Sequence, residues 1–255
     1  MPVLERPDGC GLYHEVHGRP DAAPLLLLEG LGGDIPGWRR NIPTLARSLR
    51  VIAYDLRGNG RSCEPPGPCT MATFVEDTVA LLDHLGVERA HVYGQSFGGM
   101  VAIELALAHP ERVRTLVLAA THAGPARASP VKVRVPKDEP WRALYAPAFV
   151  EEHPEHVAED LAVAERQPRH PLGGRRQWEA MQGFDAWDRL GSITAPTLVL
   201  HGTQDLLVAP ENAERLAAAI PRAQLHLLEG AGHLYHSERA AQADAAVLDF
   251  IGRHG

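Results

Sequence analysis

Short apolar runs bounded by turn residues punctuate the chain at 24–28, 51–54, 91–93, 115–118, 197–200 and 224–228. Their length and unbroken apolar character predict buried parallel strands. Amphipathic stretches at 73–85, 97–108, 210–219 and 238–251 lie between them and predict helices, so strand and helix alternate as in a doubly wound α/β sheet covered on both faces. The segment 12–16 is short and half polar, which suits an edge hairpin and an antiparallel start to the sheet. From about 122 to 191 the rhythm breaks. Pro125, Pro130, Pro136 and Pro140 precede helix-like segments at 141–149, 155–166 and 175–182, and no strand pattern falls among them. This segment is read as a helical cap inserted into the core, the core being 1–121 and 192–255, and it should lie over the strand carboxyl ends, where open α/β sheets bind ligands.

With 255 residues, 45% of them apolar, the chain can bury a single large core. A formal charge of -7 and basic clusters no longer than the pairs Arg39-Arg40 and Arg175-Arg176 argue against nucleic acid or an anionic membrane as partner. The first residues show no signal-peptide pattern and no later run approaches a membrane span, so a cytoplasmic protein, monomer or homodimer, is the expectation. Cys10, Cys63 and Cys69 are expected as free thiols, although a bridge between Cys63 and Cys69 across a proline-rich loop is the alternative.

The chemistry gathers at strand ends. The run His91-Val92-Tyr93 leads through Gly94-Gln95-Ser96-Phe97-Gly98 straight into a helix pattern, which is the G-x-S-x-G elbow in its strand-turn-helix setting. Glycines two residues either side of Ser96 let strand and helix pass close to a strained serine. A serine hydroxyl needs a base, and the base needs a partner that fixes its tautomer. Asp205 follows the strand at 197–200 and His233 the strand at 224–228, in the chain order serine, acid, histidine. An aspartate after a strand can instead cap a helix, and His236, three residues beyond His233, is the alternative base. His153 and His156 are read as solvated. Two backbone N–H groups, those of Leu31 in the glycine-rich loop Glu29-Gly30-Leu31-Gly32-Gly33 and of Phe97, are the candidate oxyanion donors.

With these motifs in place, the chain resembles the α/β-hydrolase superfamily over nearly its whole length. Tyr54 to Ser62 looks like that family's D-x-R-G-x-G-x-S loop, and Ile193 to Gly202 its strand before the acid. Within the superfamily it is most similar to small carboxylesterases, 3-oxoadipate enol-lactone hydrolases and perhydrolase-type esterases. The resemblance implies an α/β-hydrolase fold, a mostly parallel eight-stranded sheet with a small helical cap, with Ser96 as nucleophile, Asp205 as acid, His233 as base and no cofactor or metal. The chain departs from the family at Glu29, where His-Gly is usual. A carboxylate there must be paired or protonated. It is read first as a partner of a nearby arginine or backbone donor, and second as a device that disfavours anionic substrates.

The expected activity is hydrolysis of a small to medium carboxylic ester through an acyl-enzyme on Ser96. A lactone hydrolase is the alternative, and a non-hydrolytic enzyme on the same fold, such as a lyase, is a further one. Substrate contacts are expected from Glu29, Gly30, Trp38, Trp141 and Tyr145, with Met100, Leu144, Phe149, Trp178 and Phe184 as further candidate walls that core packing would equally explain.

Overall fold

The computed structural model describes residues 2–65, 67–130 and 137–254. Pro136, one of the prolines opening the predicted cap, lies outside them. Eight strands form one sheet: β1 (Val3–Glu5), β2 (Gly11–His17), β3 (Pro24–Leu28), β4 (Arg50–Tyr54), β5 (Ala90–Gln95), β6 (Val113–Ala119), β7 (Thr197–Gly202) and β8 (Ala223–Leu228). They lie in the order β1-β2-β4-β3-β5-β6-β7-β8. β2 pairs antiparallel with both β1 and β4, as the edge-hairpin reading requires, and all the remaining neighbours are parallel.

The sheet divides its apolar runs between two cores because alternate side chains of a strand point to opposite faces. On one face Leu26, Leu28, Ile52, Val92 and Leu116 pack with Phe74 of α2 (Met71–His84) and Ile103 of α3 (Phe97–Ala108). On the other, Leu25, Leu27, Val51, Tyr93 and Val117 pack with Trp38, with Leu45 of the short α1 (Ile42–Leu45), and with Val247 and Phe250 of the C-terminal helix. The strand at the far edge departs from the reading of buried strands. Leu225 and Leu227 of β8 are exposed, because β8 is the last strand and helices cover only part of its outer face.

Between β6 and β7 the described residues hold three helices and no strand: α4 (Pro147–Glu152), α5 (Pro154–Glu165) and α6 (Pro171–Gln182). Each opens on proline, whose fixed φ suits a first helical turn and whose missing N–H costs nothing there. The same chemistry corrects the predicted helix at 141–149. Residues Pro140–Leu144 form a 3-10 turn, Tyr145 and Ala146 are extended, and α4 starts only at Pro147, which disfavours helical backbone in the residue before it. Tyr145, Phe149, Val150 and Val157 make a third, smaller core that packs on Leu234 beside the sheet. The chain then continues through α7 (Glu211–Ala219), the single turn α8 (Tyr235–Glu238) and α9 (Ala240–His254).

Two expectations about cysteine and histidine are corrected. Cys10 and Cys63 form a disulfide with Cα atoms 5.3 Å apart, and Cys69 is the buried free thiol. Cys63 N–H donates to the Gly11 carbonyl at 2.9 Å, which lays the loop after β4 beside the start of β2, a proximity that 53 residues of separation conceal. His156 is not solvated; its Nε2 meets Ser237 Oγ at 2.9 Å and its ring packs edge-on against Phe149, while His153 is exposed beside the same ring. Among the described residues no helix is long and apolar enough to cross a membrane.

Candidate active site

Ser96 stands at the turn between β5 and α3 with φ 53° and ψ −115°, a backbone conformation that non-glycine residues adopt only where the surroundings impose it. The imposing contacts are specific. Ser96 N–H donates to the Ala119 carbonyl at 2.8 Å, and Thr121 Oγ1 donates to the Ser96 carbonyl at 2.6 Å. A Cβ on Gly94 would run into the Gly98 carbonyl oxygen, and one on Gly98 into that of Leu28, so both flanking glycines are required by close backbone passage.

Asp205 leaves the end of β7 and is buried. Its Oδ1 accepts the N–H groups of Leu207 and Val208 at 2.8 and 2.9 Å, so the local turn role and the histidine-orienting role are filled by different oxygens of one carboxylate. Oδ2 meets His233 Nδ1 at 2.8 Å and His201 Nε2 at 3.1 Å. Burial by itself would raise this carboxyl, yet the His233 charge and the hydrogen bonds from His201 and His233 outweigh it and hold it well below the usual range. His233 with Nδ1 committed to Asp205 turns Nε2 outward as an acceptor. His236 is not placed to act as the base. It is buried, its ring tilted against Trp38 with centroids 4.7 Å apart, and burial drives its imidazole down to about 3.

Ser96 and His233 both line one cavity of about 850 Å³ beneath α5 and α6. Among the described residues no hydrogen bond joins Ser96 Oγ to His233; such contacts commonly tighten only around a bound substrate. The Leu31 N–H donates to no described residue, and Phe97 supplies the first amide of α3, one of those a helix leaves without an internal acceptor. Glu29, Gly30, Met100, Leu144, Tyr145 and Trp178 line the cavity as well. Trp38 and Trp141 do not. Trp38 is wedged between Tyr93 and His236 in the core, and Trp141 sits on the cap core under Arg142. Phe149 and Phe184 are likewise core residues.

Among the described residues Glu29 has no arginine partner. Its Oε1 accepts the Gly30 N–H at 2.9 Å, Oε2 is buried without a partner, and burial raises the carboxyl from 4.5 to about 7. Asp34, on the same loop and facing the same cavity, is raised to about 7 by burial and by the Asp55 charge. The cavity lining therefore carries two carboxyls whose protonated forms burial favours well above the usual carboxylate range.

A sequence model of the alpha/beta hydrolase fold family matches residues 23–166 and 156–240. The chain belongs to the α/β-hydrolase fold family. It is 35% identical to a protein of Variovorax paradoxus named "Putative carbamate hydrolase RutD", over 95% of this chain and 96% of that one. Among solved structures it is similar to a hydrolase from Pseudomonas aeruginosa, with a TM-score of 0.86 at 35% identity over 98% of both chains. It is also similar to an enol-lactonase from Burkholderia xenovorans, with a TM-score of 0.88 at 29% identity over 98% of this chain and 100% of that one. Hydrolysis is the chemistry that the fold and these relatives support.

Two polar residues of this hydrolase's site, His122 and Gln177, carry no local sequence signal, and the strand pattern that holds His201 does not report its contact with Asp205. Gln177 of α6 is fully buried, accepts the Gly32 N–H at 3.0 Å through Oε1 and donates to the Arg57 carbonyl at 3.0 Å through Nε2. One α6 side chain thus ties the loop that carries the Leu31 amide to the loop after β4. The second loop is itself anchored: Asp55 accepts the N–H groups of Ile35 and Arg61, and Arg57 forks onto Asp77 and reaches Asp8. Further contacts from Arg39, Arg40, Tyr145 and Ser237 converge on Asp160 of α5 and hold the cap to the core. Gln177→Ala is expected to destabilise the fold by about 1–2 kcal/mol, since the buried Arg57 carbonyl loses its donor and the partly buried Gly32 N–H its acceptor. Urea unfolding measures this, and a change below about 0.5 kcal/mol, the level of ordinary surface substitutions, would show that the bridge does not hold the loops.

Proposed function

We propose that this hydrolase cleaves an uncharged carboxylic ester of small to medium size through an acyl-enzyme on Ser96. The observation that carries the reading is the buried Asp205–His233 pair opening on the same cavity as a serine held in an elbow. His233 Nε2 takes the Ser96 proton as Oγ attacks the carbonyl carbon, the Leu31 and Phe97 amides hold the oxyanion, and Asp205 stabilises the imidazolium. The imidazolium then protonates the departing alcohol. A water molecule deprotonated by the same imidazole attacks the acyl carbon and frees the acid, returning the proton to Ser96.

The cavity supports an uncharged substrate of moderate length. Its lining includes the exposed apolar side chains of Leu31, Trp178 and Leu207; of its arginines, Arg39 is paired with Asp160 and Arg169 is exposed, while Glu29 and Asp34 would oppose an anionic group whenever either ionises. The likeness to an enol-lactonase favours a lactone as the second reading, and the name of the Variovorax relative favours a carbamate, whose carbonyl the same machinery would attack.

Steady-state assays on p-nitrophenyl acetate, butyrate, octanoate and palmitate, beside a simple lactone and a phenyl carbamate, test the proposal. Turnover should peak at butyrate or octanoate and fall by about 10³-fold or more in Ser96→Ala and His233→Ala. A folded protein without turnover on any ester would sink the ester reading. Faster turnover of the lactone or carbamate would move the assignment to that class.

A further inference from the structure

The loop leaving β6 runs Thr121-His122-Ala123-Gly124 and is fastened to the backbone of the nucleophile itself through the Thr121 Oγ1 bond to the Ser96 carbonyl. His122 is the next residue. Its side chain is buried to within 9% of full coverage and lines the cavity that also holds Ser96 and His233. Nδ1 lies 3.2 Å from the Gly124 N–H and accepts from it. An imidazole that accepts at Nδ1 bears its proton on Nε2 when neutral. Burial disfavours the charged ring and lowers it to about 4.

Nε2 donates to no described residue and is open to the cavity. Met100, Pro125, Met181 and Leu207 contribute mostly apolar atoms to the same chamber. An oriented N–H donor set among such apolar walls is what small-molecule sites use to fix one polar atom of a ligand. The neutral ring brings no charge to offset a carboxylate, and Glu29 and Asp34 line the same cavity, so the matching group is an uncharged acceptor.

We propose that His122 is a specificity residue whose Nε2–H donates to an uncharged acceptor oxygen of the substrate, a ketone, ether or amide oxygen beyond the scissile carbonyl. The natural substrate is then an oxygen-bearing ester rather than a plain alkanoate. This rests on the ester-hydrolase reading above and narrows its substrate class.

Two matched pairs test it, each measured in the wild type and in His122→Phe and referred to its hydroxide-catalysed rate. On the acyl side p-nitrophenyl 4-oxopentanoate is compared with p-nitrophenyl pentanoate; on the alcohol side 2-methoxyethyl butyrate is compared with butyl butyrate. The wild type should favour the oxygen-bearing member of one pair by about 3- to 10-fold in kcat/KM, the range one neutral hydrogen bond supplies. His122→Phe should lose that preference while still hydrolysing the plain ester. A wild type that treats both members of both pairs alike overturns the proposal without any variant, and so does a variant that keeps the preference. A wild type that hydrolyses none of the four esters removes the ester reading itself, and this inference with it.

Discussion

Asp205→Asn is expected to lower kcat for p-nitrophenyl butyrate by about 10⁴-fold while leaving the chain folded. The reason lies in how the four contacts divide between the two carboxylate oxygens. Oδ1 receives two backbone N–H groups, and the asparagine carbonyl oxygen would keep them. The new Nδ2 would then face His233 Nδ1 and His201 Nε2 in place of Oδ2. A donor facing Nδ1 forces the imidazole into the tautomer protonated on Nε2, and the base is lost although nothing has moved. Circular dichroism and thermal melting establish folding; initial rates establish the loss. Activity within tenfold of the wild type would overturn Asp205 as the residue that orients His233. The same substitution should flatten the acid limb of stability. A carboxyl depressed in the folded state contributes stability above its ordinary 3.8, and that contribution is lost as pH falls toward its folded value.

The second large effect is expected at Glu29, and its sign is opposite. The carboxyl rises from 4.5 to about 7 on folding, first through burial. Below 4.5 both folded and unfolded chains hold the proton. Between 4.5 and about 7 the unfolded chain releases it and the folded chain does not, so stability declines across that window and levels off above it. The shift corresponds to a loss of about 3 kcal/mol. Glu29→Gln keeps an oxygen for the Gly30 N–H and has nothing to titrate, so its unfolding free energy should decline less from pH 4.5 to 8.5 by that amount. Asp34, raised to about 7 on the same loop, titrates in both proteins, and the informative quantity is therefore the difference between them. Chemical denaturation at both pH values measures it, and parallel curves would remove Glu29 as the titrating group. If the ionised carboxylate also repels anionic esters, the variant should raise kcat/KM for carboxylate-bearing esters relative to neutral ones at pH 8; an unchanged ratio leaves Glu29 a purely structural role.

Elements whose signal is local are legible in the sequence. The apolar runs at 24–28, 115–118 and 197–200 fall inside β3, β6 and β7, and the helix at 97–108 coincides with α3, because runs of this length bounded by turn residues have few other solutions. Local pattern misleads where a residue answers to a distant partner. The exposed face of β8 follows from its place at the end of the strand order, which periodicity does not report. The Cys10–Cys63 bridge depends on two loops meeting across 53 residues, and spacing alone favours the wrong neighbour, Cys69. Trp38 follows the glycine-rich loop and so reads as a wall of the site, but the ring turns away to pack on Tyr93.

The site divides in the same manner. By itself the amino-acid sequence determined the α/β alternation, the elbow at Ser96, and the strand-end positions of Asp205 and His233, since each is a pattern confined to about ten residues whose turn chemistry admits one backbone course. Only the tertiary structure decided that Glu29 is buried with no arginine partner among the described residues, that His201 shares Asp205 with His233, that Gln177 reaches 145 residues back to Gly32, and that His122 lines the cavity. Those outcomes depend on which loops pack together, and a side chain's protonation, tautomer and partner are set by the dielectric and the donors that such packing brings within about 3 Å.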